Sequence, residues 1–260
     1  LVQLNHTPDP MELFSNYIWV TATSNTARKH AKVFYKEIAS RLENNKKGYI
    51  LEVASNDGTF LLPFIKEGYT VLGVDPAKNI AETAIAAGVP TRCEFFGVSS
   101  AKRILKDVGP ARVVIARNVL PHVANLHDFV KGICSVLDDK GLLILEIHYA
   151  KKIYQELHYD SIYHEHLCYF TIKSLEKLLD THSLFIEDIK TSPISGGSLV
   201  IYAKKKKVKS SIIETYKNLE KEMRLNTLES WQDFAKRVVK NREKLLEILK
   251  KNKNKITVGY

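Results

Sequence analysis

The segment His158-Tyr159-Asp160-Ser161-Ile162-Tyr163-His164-Glu165-His166-Leu167-Cys168-Tyr169-Phe170 concentrates side chains that hold or move protons. Three readings suit it. His164 and His166, with Glu165 between them, can ligate a metal, because alternate residues of an extended segment face the same way. That reading needs a third ligand, and no second cluster at a matching spacing supplies one. A histidine can instead serve as a general base near neutral pH, oriented by a neighbouring carboxylate or tyrosine. Or the imidazoles satisfy one another in a packed loop. A second group ends another apolar run, Ala116-Arg117-Asn118-Val119-Leu120-Pro121-His122-Val123. There Asn118 is placed to hydrogen-bond a cofactor and His122 to face a substrate, whereas His127 reads as the start of the following helix.

A third group defines what that cofactor would be. Leu51-Glu52-Val53-Ala54-Ser55-Asn56-Asp57-Gly58 is an apolar strand breaking into a small, polar, glycine-bearing turn, and Val71-Leu72-Gly73-Val74-Asp75 is a second apolar run ending in an acid. Such a turn lets a ligand approach the backbone, and the acid after the next strand can hold two adjacent hydroxyls of a ribose. A dinucleotide fold would want G-x-G-x-x-G for a pyrophosphate. Here Gly58 is the lone glycine of the turn, and Ser55, Asn56 and Asp57 suit a zwitterionic amino-acid tail, with the Glu52 carboxylate facing its ammonium. S-adenosylmethionine has that tail. Glu52, Ala54, Ser55, Asn56, Gly58, Asp75 and Asn118 are therefore the expected cofactor contacts, against the plainer alternative of an ordinary strand-to-helix turn.

The elements that position these groups follow from hydropathy. Strands are expected near 49–54, 70–75, 91–95, 111–117 and 141–148, with helices near 59–67, 78–87, 98–107 and 125–138; this alternation predicts a parallel sheet covered on both faces. Ser24, Asn25 and Thr26 can cap a lead-in helix over 24–44, with Ala31, Val33, Phe34, Ile38 and Leu42 at helical spacing. After a loop at 149–170 come a helix near 172–181 and a strand at 183–190. The turn cluster Ser192-Pro193-Ile194-Ser195-Gly196-Gly197 leaves no room for a helix before the run 198–203, so the last two strands form an antiparallel hairpin. The prediction is an α/β fold: the Rossmann-like seven-stranded sheet of class I methyltransferases with its last strand reversed, an N-terminal lead-in helix and a C-terminal helical extension. The expected units are 1–48, a lead-in contributing to the substrate site; 49–204, the cofactor-binding domain; 205–254, the helical extension; and 255–260, the start of a further domain. A chain that begins at Leu1 and stops in a new strand reads as part of a longer protein.

Composition excludes several classes. With 260 residues, 45% hydrophobic and 26% charged, the chain can bury a sizeable core. No apolar run reaches the ~18 residues of a bilayer span, and no signal pattern opens the chain, so a cytoplasmic protein is expected. Cys93, Cys134 and Cys168 lie far apart and read as reduced thiols in or near the core. The net charge of +10 gathers in Lys204-Lys205-Lys206-Lys207 and in 236–255, where basic residues alternate with Glu and Leu at helical spacing. That pattern describes a solvated helix face rather than a nucleic-acid surface, and it is compatible with an anionic small substrate.

Taken together, Glu52 to Gly58, Gly73-Val74-Asp75-Pro76-Ala77-Lys78-Asn79-Ile80-Ala81, Arg117-Asn118-Val119, Tyr163-His164-Glu165-His166 and Gly196-Gly197-Ser198-Leu199 resemble the bacterial deoxysugar C-methyltransferases. The likeness runs over most of residues 12–203. It implies an S-adenosylmethionine-dependent transfer of methyl to C3 of a nucleotide-linked 4-keto deoxysugar, with a nucleotide sugar as the partner. The resemblance further implies that His166 removes the C3 proton, that Tyr163 and Glu165 assist and orient it, that His122 lies near the enolate oxygen, and that Tyr17 reaches into the site. No metal is implied in that step; the zinc of this family belongs to an N-terminal domain of paired cysteines that this sequence does not contain. Val200 stands where relatives commonly carry an arginine, which bears on diphosphate recognition. Methylation of another small carbonyl or hydroxyl compound, or a nucleic-acid-associated module keeping fold and pocket, are the alternatives.

Overall fold

Tyr49–Val53 forms a strand in which every residue is buried, as a continuous apolar run covered on both faces requires. A computed structural model describes residues 2–4, 8–192, 196–208, 210–256 and 258. The strands are β1 (Val2–Gln3), β2 (Tyr49–Val53), β3 (Thr70–Val74), β4 (Thr91–Arg92), β5 (Ala111–Arg117), β6 (Leu137–Ile147), β7 (Cys168–Tyr169), β8 (Phe185–Thr191) and β9 (Leu199–Lys204). The helices are α1 (Pro10–Phe14), α2 (Asn25–Arg41), α3 (Leu62–Lys66), α4 (Lys78–Ala86), α5 (Val98–Val108), α6 (Leu126–Val136), α7 (Ala150–Glu156), α8 (Ile172–Asp180), α9 (Ser211–Glu222) and α10 (Leu228–Lys251).

Seven strands share one sheet in the order β4-β3-β2-β5-β6-β9-β8. It is parallel through β6 and reversed at β9, which pairs antiparallel with both β6 and β8. This is the α/β sheet expected from the strand spacing. Phe34 and Ile38 of α2 and Phe64 of α3 cover one face, over Ile50, Ile115 and Ile144. Ile133 of α6 and Leu175 of α8 cover the other, over Val114 and Leu143. Because the chain steps outward from β2 to β3 and then returns to place β5 on the opposite side, a crevice opens beyond the carboxyl ends of β2 and β5.

Several elements differ from their sequence expectation for identifiable reasons. α2 is capped by Ser24, whose Oγ accepts the Ala27 N–H (3.2 Å). Val33, expected on its apolar face, is 64% exposed, since at ~100° per residue it points away from the stripe of Ala31, Phe34 and Ile38. β4 stops at Arg92, not 95, because the edge chain leaves the sheet and turns Glu94, Phe95 and Phe96 across the crevice. β6 begins at Leu137, ahead of the expected 141; the polar stretch Asp138-Asp139-Lys140 masks it. The segment 149–170 is not simply a loop. It contains α7, which buries Ala150 and Ile153 against Tyr169 and Phe234. Cys168 is buried and Cys134 partly so, but Cys93 is exposed, contrary to expectation. Val200 is buried within β9 under the α2 layer.

Of the two helices in the C-terminal segment, α9 is joined to the domain through the buried Glu220, and α10 packs Phe234 with Ala150, Ile153 and Tyr169. Of the strand start expected at 255–260, Thr257, Gly259 and Tyr260 lie outside the described residues, as do Pro193, Ile194 and Ser195 of the turn cluster. Among the described residues, no helix is long and apolar enough to cross a membrane.

Candidate active site

A cavity of about 640 Å³ lies over the ends of β2, β3 and β5. Glu52, in a strand that is otherwise apolar, turns its carboxylate to this crevice; it is 2% exposed and its Oε2 has no hydrogen-bond partner. Burial, opposed by the nearby Arg117 guanidinium, pushes its pKa up to about 8. Asp75, at the end of β3, accepts the Ala77 N–H at Oδ1 (3.0 Å) and the Asn56 N–H at Oδ2 (2.9 Å). Its carboxylate is thereby fixed at the cavity wall, although burial raises its pKa. Asn118 follows β5, lines the cavity and has an unpartnered Oδ1. Three non-glycine residues around these strand ends, Ala54 (φ 55), Asn56 (φ 49) and Asn118 (φ 51), hold left-handed backbone. At Ala54 this costs roughly 1–2 kcal/mol, strain that the packed strands beneath must sustain, whereas asparagine adopts this conformation readily.

The turn residues divide their work differently from the sequence expectation. Ala54 and Ser55 line the cavity. Asn56 also lines it, but its side chain accepts the N–H and hydroxyl of Thr21 (both 2.9 Å) and donates to the Trp19 carbonyl (3.0 Å). Asp57 accepts the Ala22 N–H (2.7 Å). Gly58 (φ +77) does not border the cavity; a Cβ there would lie 2.6 Å from Val89, so the turn needs glycine for packing against Val89 rather than for ligand approach. Asn79 completes the clamp by holding both backbone polar groups of Tyr17, at 3.1 and 2.8 Å. The stretch from α1 to Thr23, which contributes no fully buried side chain, is thus strapped over the crevice by side chains of the turn after β2 and of the start of α4.

The strap brings Phe14 and Tyr17 to the cavity beside His122. The Phe14 ring meets His122 edge-on at 5.6 Å. The Tyr17 phenol is pushed up to about 12 by burial and by Glu165, Tyr163 and Asp75, so at neutral pH it is a hydrogen-bond donor. His166 stands behind His122, with ring centroids 4.9 Å apart, and Tyr163 packs on it at 4.5 Å. The two loops are tied by the Leu167 N–H to the Pro121 carbonyl (2.7 Å). Burial, and then the Glu165 carboxylate, raise the Tyr163 pKa. His166, Tyr163 and Glu165 do not border the cavity itself; they form its second layer through His122. His166 is buried, its Nδ1 lies 2.8 Å from the Ser161 carbonyl, and burial lowers its pKa. His122, whose Nδ1 is unpartnered, is held at about 4 by burial and then by His166.

One member of this cluster escaped sequence reasoning. His148 places its ring edge-on to His166 at 4.9 Å and is also held at about 4, chiefly by burial. Its position just past β6, on the ligand side of the sheet, was the available signal. His164 is exposed, and among the described residues no three His, Cys, Asp or Glu side chains gather where an ion can sit. His127 caps no site; it bonds His182 (2.9 Å) at the start of α6.

A family model described as a methyltransferase domain matches residues 27–184. The chain belongs to the methyltransferase-domain family. A further model, a C-methyltransferase C-terminal domain, matches residues 193–260 of this methyltransferase-domain chain. The C-methyltransferase NovU of Streptomyces niveus is 31% identical over 203 residues, 78% of this chain and 48% of the relative. A ubiquinone biosynthesis O-methyltransferase of Rickettsia canadensis is 27% identical over 120 residues, 46% of this chain and 51% of the relative. The chain therefore spans about half the length of these curated relatives. Among solved structures, the magnesium protoporphyrin IX methyltransferase of Synechocystis PCC 6803 with bound SAH has TM-score 0.52 at 14% identity, over 72% of this chain and 88% of that one. The PH0226 protein of Pyrococcus horikoshii OT3 has TM-score 0.56 at 15% identity, over 76% and 96%. At these identities the structures show that the methyltransferase-domain family's fold is shared.

Proposed function

We propose that the chain acts as an S-adenosylmethionine-dependent C-methyltransferase on the carbon next to the ketone (C3) of a nucleotide-linked 4-keto deoxysugar. The observation that carries this reading is that one cavity is bordered on one side by the unpartnered Glu52 carboxylate and the fixed Asp75, and on the other by Tyr17 and His122, with His166 packed directly behind His122. The similarity to a C-methyltransferase, and the C-methyltransferase C-terminal match, support carbon as the acceptor.

The residues fit the proposed cofactor. Glu52 Oε2 would take its ammonium, Asp75 its ribose hydroxyls, and Asn118 Oδ1 a further donor. When bound, S-adenosylmethionine supplies an electrophilic methyl group. The rest falls to the chain. A carbonyl only accepts, so the contact with Ser161 puts the proton of His166 on Nδ1 and leaves Nε2 with its lone pair. Burial favours the neutral ring, keeping that lone pair available to a substrate whose C–H next to the ketone reaches past His122. The Tyr17 phenol, protonated at neutral pH, can donate to the developing enolate oxygen. The strap and the aromatic wall of Phe14 and Phe96 keep water from the carbanion.

Glu52 makes cofactor binding pH-dependent. Free, it holds its proton up to about pH 8; opposite an ammonium it is a carboxylate. Binding at pH 7 should release up to one proton, and the dissociation constant should rise as pH falls below 7, by at most about tenfold per unit. Calorimetry in buffers of different ionisation enthalpy measures both effects, and Glu52→Gln should abolish them. Proton-independent binding by the wild type would remove Glu52 from the ammonium site.

The substrate reading is tested by incubating the chain with a panel of nucleotide-linked 4-keto sugars in D₂O with the cofactor. Deuterium at the carbon next to the ketone and a carbon-bound methyl, both read by NMR, are expected. An oxygen-bound methyl without exchange would favour the second reading, for which the O-methyltransferase similarity speaks.

A further inference from the structure

We infer that Arg117 recognises the carboxylate of the methyl donor's amino-acid tail, opposite Glu52, so that the cavity selects a zwitterion over a simple amine. The inference rests on the donor proposed above. Arg117 ends β5 and borders the cavity, yet its side chain is only 10% exposed. Its Nε and Nη2 both hold Glu146 Oε2 at 2.8 Å. The guanidinium also stacks on Phe60, 3.2 Å from the ring centroid, with Phe34 at 5.1 Å. Clamped on one edge and one face, the fork cannot swing away from the crevice.

Pairing with Glu146 accounts for that edge alone. Nε and Nη2 are the donors that Glu146 takes up, while Nη1, which is not fully enclosed, is left for an acceptor that enters the cavity. The planar donors of a guanidinium match a carboxylate. Glu52, on the neighbouring strand at the same cavity, has the complementary defect in its unpartnered Oε2. One open donor edge and one open acceptor, both rigid and facing one space, are the complement of an α-amino acid. This also explains why the buried run Val113–Ala116 is followed by an arginine rather than another apolar residue.

The test compares S-adenosylmethionine with its decarboxylated analogue, which keeps the ammonium and the sulfonium, by calorimetry on the 260-residue chain. A hydrogen bond between charged groups corresponds to roughly 10- to 100-fold in affinity. The wild type should bind the decarboxylated analogue more weakly by that factor. Arg117→Gln should bind both compounds at the weaker level, its preference lost. Since Arg117→Gln leaves Glu146 buried and unpaired, the double variant Arg117→Met/Glu146→Met, which removes the pair as a unit, serves where the single one fails to fold. Equal wild-type affinities, or a preference that survives in the folded variants, would overturn the inference. A wild type that binds neither compound would instead overturn the donor assignment itself.

Discussion

His166→Ala should lower turnover by about 10²–10⁴-fold, the usual contribution of a positioned general base, while the cofactor dissociation constant changes by less than about twofold. The two readouts separate because His166 stands behind His122 rather than on the cavity wall, away from Glu52 and Asp75. Solvent exchange at the carbon next to the ketone should fall with turnover, since proton removal is the step assigned to it. The pH profile carries a further sign. Burial lowers the His166 pKa, so activity should already be full at neutral pH and fall only as the pH drops through that lowered value. Steady-state kinetics and exchange measured by NMR check this. A variant with wild-type exchange and turnover would dismiss His166 as the base, and His122, which does border the cavity, would inherit the role.

The second large effect concerns stability. Glu220 in α9 is fully buried, and its carboxylate accepts the Ile172 and Lys173 N–H groups at the start of α8, with Lys173 at 3.2 Å. It also accepts the Tyr149 hydroxyl (3.1 Å) and the Asn226 amide (3.4 Å). An anion at a helix N-terminus is stabilised by the free amides and by the helix dipole. Removing it leaves several buried donors without an acceptor at once. Glu220→Ala should therefore destabilise the chain by about 3 kcal/mol or more, a drop in Tm of roughly 6–12 °C for a protein of this size. Thermal unfolding followed by circular dichroism measures it. A change under about 1 kcal/mol would mean that water replaces the carboxylate and that α9 is not anchored there.

The fold was largely legible. Long apolar runs alternating with amphipathic stretches leave few arrangements, and the short turn after Thr191 demands the reversed strand at β9. What escaped notice was short or polar. α7 spans only Ala150–Glu156, too brief for periodicity to register. Asp138, Asp139 and Lys140 put charge near the start of β6, and β4 ends early because an edge strand can leave the sheet without breaking pairs on both sides. The site was legible in its components and not in their arrangement. Glu52, Asp75, Asn118 and His122 follow from the rule that ligands bind past the carboxyl ends of parallel strands. Yet Asn56, read as a ligand contact, spends its side chain on the N-terminal strap, and Gly58 faces Val89. A sequence displays a side chain's hydrogen-bonding capacity without displaying which partner claims it.

Local chemistry and periodicity, then, were enough to determine the α/β sheet, the cavity at its edge and the residue types around it, because both are encoded over a few neighbouring positions. Only the tertiary structure decided which of those residues share a wall. His148, His122 and His166 come from three separate strand ends and loops, and Arg117 meets Glu146 across adjacent strands. Their proximity is set by sheet order and loop closure, long-range properties fixed by burying the whole core.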